Sequence, residues 1–333
     1  MTDYDVHHQD PEDEDAPRWN ITGRWTARAH AKVNLHLGVG EAREDGFHEL
    51  ATVFQSLQLH DTVTYEPSTK FLTLSVDGPH AAGVPTDENN LAWMGMRFVS
   101  LNFGVDFPRG HLHLHKQIPA AGGMAGGSAD AAAAMKLGSA AWATITGKPE
   151  AAEEHNLRLA GFVGSDVPFT WMGGTALGHG RGELLTPMMS RGEYIWAIVT
   201  HQEGLSTPAV FRKLDELRAV GRGSEPHMDT TAVGQALISG DPHALAAALH
   251  NDLQVAALSL RPDLRKVLDT GKAAGALQGI ISGSGPTCAF LCEDEETALE
   301  VIAQVTADNR GTSGLVTRGP APGAEVVEEV YPL

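Results

Sequence analysis

The chain has 333 residues, of which 42% are hydrophobic, 6% aromatic and 20% charged, and its formal charge at pH 7 is −18. That length leaves room for two domains with full cores, and so acidic a balance excludes a general nucleic-acid binder, because a phosphate backbone demands a basic face. Seven of the acids (Asp3, Asp5, Asp10, Glu12, Asp13, Glu14 and Asp15) fall within residues 1–15 with no Lys or Arg among them, so residues 1–23 read as an acidic, disordered tail and the remainder still carries −11. No basic start followed by an apolar run opens the sequence, and Tyr194–Val199 is too short to span a bilayer. The expectation is a cytoplasmic chain without a membrane partner. Cys288 and Cys292 alone make neither a disulfide framework nor a zinc site; four apart, they share one strand face as small buried hydrophobes.

In chain order, strands are predicted at Trp25–Leu37, Glu49–Gln58 and Thr62–Glu66, with the turn Glu44-Asp45-Gly46 between the first two. Phe71–Val76 alternates as another strand, Thr86 caps a helix from about Glu88 to Asn102, and His111–Ile118 alternates strictly. There follows Pro119-Ala120-Ala121-Gly122-Gly123-Met124-Ala125-Gly126-Gly127-Ser128-Ala129, with four glycines in six positions, and then an alanine-rich helix, Asp130 to about Ala143. Gly147-Lys148-Pro149 breaks the pattern before a helix ending near Ala160. Gly161–Gly174 reads as loop, with Pro168 suited to the first turn of a short helix. Thr175–Leu177 and Tyr194–Thr200 read as strands flanking a boundary near residue 188, which divides the chain into 24–188 and 189–333. Helices then start near Pro208, Thr230, Pro242 and Pro262; Gly279–Ser282 and Thr287–Cys292 bracket the turn Gly283-Ser284-Gly285-Pro286; a helix at Glu295–Asp308 precedes a last strand. This is α+β rather than regular strand–helix alternation, and it suggests a ligand held between two layered units.

The glycine run carries the chemistry. Glycine reaches positive φ and lets a ligand approach peptide N–H groups without Cβ interference, and the following helix aims its unpaired N–H groups at the same space. Strand, glycine loop and helix N-terminus together form an anion cradle suited to a phosphate chain. No Gly-Lys-Ser/Thr ends the loop, and no glycine trio falls at i, i+2 and i+5, so neither a Walker A loop nor a dinucleotide fingerprint is present. Three further clusters accompany it. Alternation puts Lys32 and Asn34 on one strand face, opposite Ala31, Val33 and Leu35, where they form either a solvent face or a site. Asp166 stands in Gly164-Ser165-Asp166-Val167-Pro168 as a cap or an acid, and Ser282–Thr287 is a tight turn or a ligand loop. His111, His113 and His115 share a strand face, as a solvated or interface-facing stripe or as a transition-metal site.

Taken together, the clusters resemble the GHMP small-molecule kinases: a strand with Lys near its start, a proline-led Gly/Ser loop before a helix, and a late glycine turn, in that order. Ala31–Leu35, Arg43-Glu44-Asp45-Gly46-Phe47-His48-Glu49-Leu50 and Gly164–Phe169 resemble the branch of that superfamily whose acceptor is a cytidine diphosphate ester of methylerythritol in the non-mevalonate isoprenoid pathway, and the resemblance runs from Thr26 to about Leu291. It implies a ribosomal protein S5 domain 2-like fold for 24–188, a ferredoxin-like α+β fold for 189–333, and transfer of a phosphoryl group from ATP to the 2-hydroxyl of that acceptor by a monomer or weak homodimer. It further implies Asp166 as general base with Lys32 beside it, Asn90, Leu91 and Lys116 around the adenine, Pro119–Ala129 around the phosphates, and Asn34, Phe47, His48 and Phe211 around the acceptor, the two phenylalanines sandwiching its cytosine. The family commonly has Tyr where Phe47 stands and Ser-Ser where Ser128-Ala129 stands, so Mg²⁺ is expected to arrive with ATP and Ser128 is the one candidate ligand from the chain. A homoserine- or mevalonate-type acceptor is the alternative.

Overall fold

The computed structural model describes residues 23–105, 107–120 and 122–330; the acidic segment through residue 22 and Ala121 of the glycine loop lie outside them. The first half of the chain supplies strands β1 (Arg24–Ala42), β2 (His48–Phe71) and β3 (Thr73–Asp77), helix α1 (Leu91–Ser100), β4 (Arg109–His115), helices α2 (Gly126–Thr146), α3 (Glu153–Val163) and α4 (Val167–Met172), and the hairpin β5 (Thr175–His179) and β6 (Leu184–Pro187). The second half supplies β7 (Tyr194–His201), helices α5 (Thr207–Ala219), α6 (Thr231–Ser239) and α7 (Pro242–Ala248), β8 (His250–Asn251), helices α8 (Gln254–Leu260) and α9 (Asp263–Ala273), β9 (Gln278–Ile281), β10 (Cys288–Cys292), α10 (Glu295–Asp308), β11 (Thr312–Gly319) and β12 (Glu325–Val330). The result is α+β, with two sheets.

The first sheet runs β12-β1-β2-β4-β3, with β5, β6 and β8 joined to its sides; the second runs β11-β7-β10-β9. One apolar cluster lies between the first sheet and α1–α4, where Trp25, Leu35, Tyr65, Met96, Leu112 and Trp142 are fully buried, and it continues through Trp196, Leu237 and Leu291 to the second sheet and α6–α7. A second, including Val199, Leu214, Leu264, Phe290 and Val301, joins the second sheet to its helices. Cys288 and Cys292 are both buried and free within it, and burial pushes their thiols up to about 12 and about 11.

Several boundaries differ from expectation. The two strands expected at Glu49–Gln58 and Thr62–Glu66 are one strand: β2 stays paired with β1 through His60 and Asp61, and a register shift between His30 and Lys32 absorbs the irregularity that the polar residues suggest. The cap of α1 is Asn90, whose Oδ1 accepts from the Ala92 N–H at 2.8 Å, rather than Thr86. Helix α2 begins at Gly126, not Asp130, because Ala125 takes the left-handed conformation (φ 57°) and turns the chain into the helix inside the glycine run. The division at 188/189 does not hold for the end of the chain: β12 returns to pair with β1 in the first sheet, and β8 joins β1 as well. β6, β8, α8 and β12 carry no signal strong enough to be expected from sequence.

Candidate active site

A cavity of about 1220 Å³ opens between the two halves of the chain. Its floor is β1 and β2. Ala31, Val33 and Leu35 face the core, and the opposite face, where solvent was one reading, is covered instead: Lys32 and Asn34 are 4% and 3% exposed and line the cavity. Lys32 Nζ donates to Asn34 Oδ1 (2.6 Å), Asn34 Nδ2 donates to Thr52 Oγ1 (2.9 Å), and Thr52 Oγ1 donates to the His36 carbonyl (2.8 Å), so the ammonium is held by a chain of polar groups across two strands. Asp166 reaches it from the start of α4, with Oδ2 3.8 Å from Lys32 Nζ. Burial draws the Lys32 pKa below its ordinary 10.5, and the Asp166 charge partly opposes that.

The glycine loop crosses beside this pair. Its Met124 carbonyl accepts from the Lys32 N–H (3.2 Å), and Gly122 and Gly123 have φ of 102° and 86°. Their carbonyls are tied to the late turn: Thr287 Oγ1 donates to Gly122 O and Ser282 Oγ to Gly123 O, both at 2.7 Å. In a trans peptide the next N–H points opposite to the bound carbonyl, so the N–H groups of Gly123 and Met124 face away from that turn. A Cβ on Gly123 would meet the Ser282 carbonyl at 2.3 Å, which fixes glycine there. Gly126 and Gly127 open α2 with no side-chain cap, leaving first-turn N–H groups free for an anion. Gly283 arches over the pair, close enough that a Cβ would stand 3.5 Å from Lys32 Nζ, and Asn251 Nδ2 anchors that turn through the Ile281 and Gly283 carbonyls (2.7 and 2.8 Å).

Two groups in the lining differ in chemistry. One comprises Asn90, Leu91, Lys116 and the segment Ala82–Pro85. Lys116 is buried there, its Nζ shared between the carboxylates of Asp61 and Asp130. Asp61 also accepts from the Gln117 and Ile118 N–H groups (2.5 and 2.7 Å), locking the entry to the glycine loop. Burial raises the Asp130 pKa well above its ordinary 3.8; the Lys116 charge opposes the rise and the neighbouring Asp61 charge adds to it. The other group comprises Phe47, His48 and Phe211. The His48 and Phe211 ring centroids stand 5.1 Å apart, while Phe47 is half exposed with the Arg181 guanidinium 5.0 Å over its ring.

Residues 90–174 match the GHMP kinases N terminal domain and residues 235–310 match GHMP kinases C terminal. Over 315 residues the chain is 53% identical to the 4-diphosphocytidyl-2-C-methyl-D-erythritol kinase of Corynebacterium diphtheriae, covering 90% of this chain and 97% of the relative. It is 49% identical over 302 residues to the protein of the same name from Nocardia farcinica, covering 90% and 95%. The chain belongs to the 4-diphosphocytidyl-2-C-methyl-D-erythritol kinase family of GHMP kinases. A crystal structure of 4-(cytidine 5'-diphospho)-2C-methyl-D-erythritol kinase superposes with a TM-score of 0.70 at 29% identity, covering 89% of this chain and all of that one. A homoserine kinase from Cytophaga hutchinsonii superposes with a TM-score of 0.67 at 18% identity, covering 91% and 97%, a likeness of fold alone.

Within this family member, the residues expected at the site do not all reach the cavity. Pro119, Ala120, Gly122, Gly123, Met124, Ala125, Gly126 and Gly127 line it, whereas Ser128 and Ala129 do not. Ala129 is buried under the helix, and the Ser128 carbonyl accepts from Thr170 Oγ1 at 3.0 Å. The histidine stripe lies elsewhere, on β4, where His111 and His113 bond Ser75 Oγ (2.8 and 2.9 Å) and His115 bonds Asp77 (2.6 Å). Among the described residues no group of three His, Cys, Asp or Glu side chains is arranged to hold a metal, and no helix is long and apolar enough to cross a membrane. Sequence reasoning missed Asp61, Thr52, Arg181, Asp215 and Asn251. Each acts through a partner remote in sequence, and only the tertiary fold brings that partner near.

Proposed function

We propose that this chain transfers the γ-phosphoryl group of ATP to the 2-hydroxyl of 4-diphosphocytidyl-2-C-methyl-D-erythritol. The observation that carries the reading is the buried Lys32 ammonium 3.8 Å from the half-buried Asp166 carboxylate, in a cavity also lined by the glycine loop and an aromatic cluster. The N–H groups of the loop and of the first turn of α2 hold the phosphate chain, and the adenine occupies the part lined by Asn90, Leu91 and Lys116. The cytosine occupies the part lined by Phe47, His48 and Phe211, where stacking on aromatic faces contributes about 1–3 kcal/mol per base. The acceptor hydroxyl then lies at Asp166. As its oxygen bonds to the γ-phosphorus, the bond from that phosphorus to the ADP oxygen breaks and the proton passes to the Asp166 carboxylate. Lys32 offsets the negative charge that gathers on the transferring group, in a site where burial strengthens the interaction.

The residues present do not fit a Mg²⁺ held by the protein. Ser128 does not line the cavity, Asp130 is committed to Lys116, and among the described residues no three His, Cys, Asp or Glu side chains are assembled. The ion therefore enters with the nucleotide, as part of the substrate. ADP release measured with the cytidyl acceptor, homoserine and mevalonate tests the substrate, and turnover of either alternative in preference to the cytidyl ester overturns it. Asp166→Asn tests the base: turnover is expected to fall by about 10²–10⁴-fold while ATP binding, followed by calorimetry, persists. Near-normal turnover would remove that role from Asp166.

A further inference from the structure

We propose that Asp215 of α5 is a positioning residue that makes the acceptor site select cytosine over uracil by fixing the tautomer of His48; this rests on the reading that the acceptor's base lies against His48 and Phe211. His48 Nε2 stands 2.9 Å from Asp215 Oδ1, and these two residues come from opposite halves of the chain, at the start of β2 and in the middle of α5. Both line the cavity together with Phe211, one turn before Asp215 on α5. His48 is 7% exposed. Its Nδ1 has no hydrogen-bond partner among the described residues and is not one of the polar atoms sealed from solvent, so it opens into the cavity that the residue lines.

A carboxylate only accepts hydrogen bonds, so Nε2 must carry the proton that it donates to Asp215. In the neutral imidazole the other nitrogen is then a lone-pair acceptor. The 4-position distinguishes the two pyrimidines: cytosine presents an amino donor there and uracil a carbonyl acceptor, the same oxygen that thymine carries. An acceptor nitrogen beside Phe211 pairs with the first and repels the second. The rings supply stacking that any base would satisfy, so the choice of base falls to the hydrogen bond. Asp215 sets its polarity without touching the reacting atoms.

The test compares kcat/KM for 4-diphosphocytidyl-2-C-methyl-D-erythritol with that for its uridine counterpart, in the unaltered enzyme and in Asp215→Asn. An asparagine amide both donates and accepts, so it meets Nε2 in either tautomer and releases the choice. The cytidine-to-uridine ratio is expected to fall at least about tenfold, the worth of one hydrogen bond of about 1.4 kcal/mol, through KM with kcat retained. Asp215→Glu, which keeps a carboxylate acceptor, is expected to restore most of the ratio. Nitrogen-15 NMR of the imidazole is expected to report the Nε2–H tautomer in the unaltered protein and a mixture in Asp215→Asn. An unchanged ratio in Asp215→Asn, or an Nδ1–H tautomer in the unaltered protein, overturns the proposal. Absence of turnover of the cytidyl ester by the unaltered enzyme instead overturns the substrate reading on which it rests.

Discussion

Lys32 is an ammonium placed where charge is disfavoured. Burial is the largest influence on it and outweighs the attraction of Asp166, so its pKa lies below 10.5 in the folded protein. If the ammonium is the form that assists transfer, raising the pH through that lowered value removes the proton and the rate falls. The alkaline limb of kcat/KM, which reports the free enzyme, is therefore expected below 10.5, and Lys32→Met is expected to lose the limb along with about 10²–10³ of kcat. A limb at or above 10.5 would show that Lys32 does not govern it. At this scale the sequence was informative about residue type and uninformative about pairing. Alternation put Lys32 and Asn34 on one face, but whether that face met water depended on the second half of the chain. Lys116 was placed near the adenine by resemblance. That its ammonium is engaged by two carboxylates was illegible, because Asp61 lies 55 residues away on β2.

The glycine loop and the late turn behave as one element made of two segments far apart in sequence. Each was legible by itself from its glycines, and their union was not, since it rests on the hydroxyls of Ser282 and Thr287 reaching the carbonyls of Gly123 and Gly122. Those bonds set which way the loop N–H groups point, so they act on the nucleotide indirectly. Each is worth about 1 kcal/mol, and Ser282→Ala with Thr287→Val together is expected to raise KM for ATP by about tenfold to thirtyfold, while KM for the cytidyl acceptor stays within twofold. Equal increases in both constants would mean that the turn orders the whole cavity rather than the loop. The start of α2 belongs to this scale as well. Sequence placed it at Asp130 because glycine is a poor helix former, yet the helix begins at Gly126, where the left-handed Ala125 turns the chain into it.

Over the whole molecule, the two halves are interlocked rather than merely adjacent. After β11 completes the second sheet, the chain crosses back and β12 pairs with β1 on the outer side of the first sheet. The crossing segment is bound along its way. The Ala321 carbonyl accepts from the Ser56 hydroxyl and from the Gly174 N–H (2.9 Å), and the Ala324 N–H donates to the Thr170 carbonyl (2.8 Å). Gly323 lies so close to α4 that a Cβ would meet the Trp171 carbonyl at 2.2 Å. Thr170 and Trp171 are in α4, the helix that Asp166 immediately precedes. The segment through β12 thus braces the short helix that follows Asp166, the proposed base, a link invisible in sequence because Glu325–Val330 is a short, acidic segment with little alternation to mark it as a strand. A chain ending at Gly319 is expected to melt several degrees lower, because β1 loses its outer partner. It is also expected to show a kcat at least about tenfold lower, since small displacements of a catalytic group cost up to a hundredfold. KM for ATP should stay within twofold, because the glycine loop is held from the other side by Ser282 and Thr287. Thermal melting and steady-state kinetics on that truncated chain separate the two effects: a lower melting temperature with kcat intact would leave β12 a stabilising strand and remove its part in positioning Asp166.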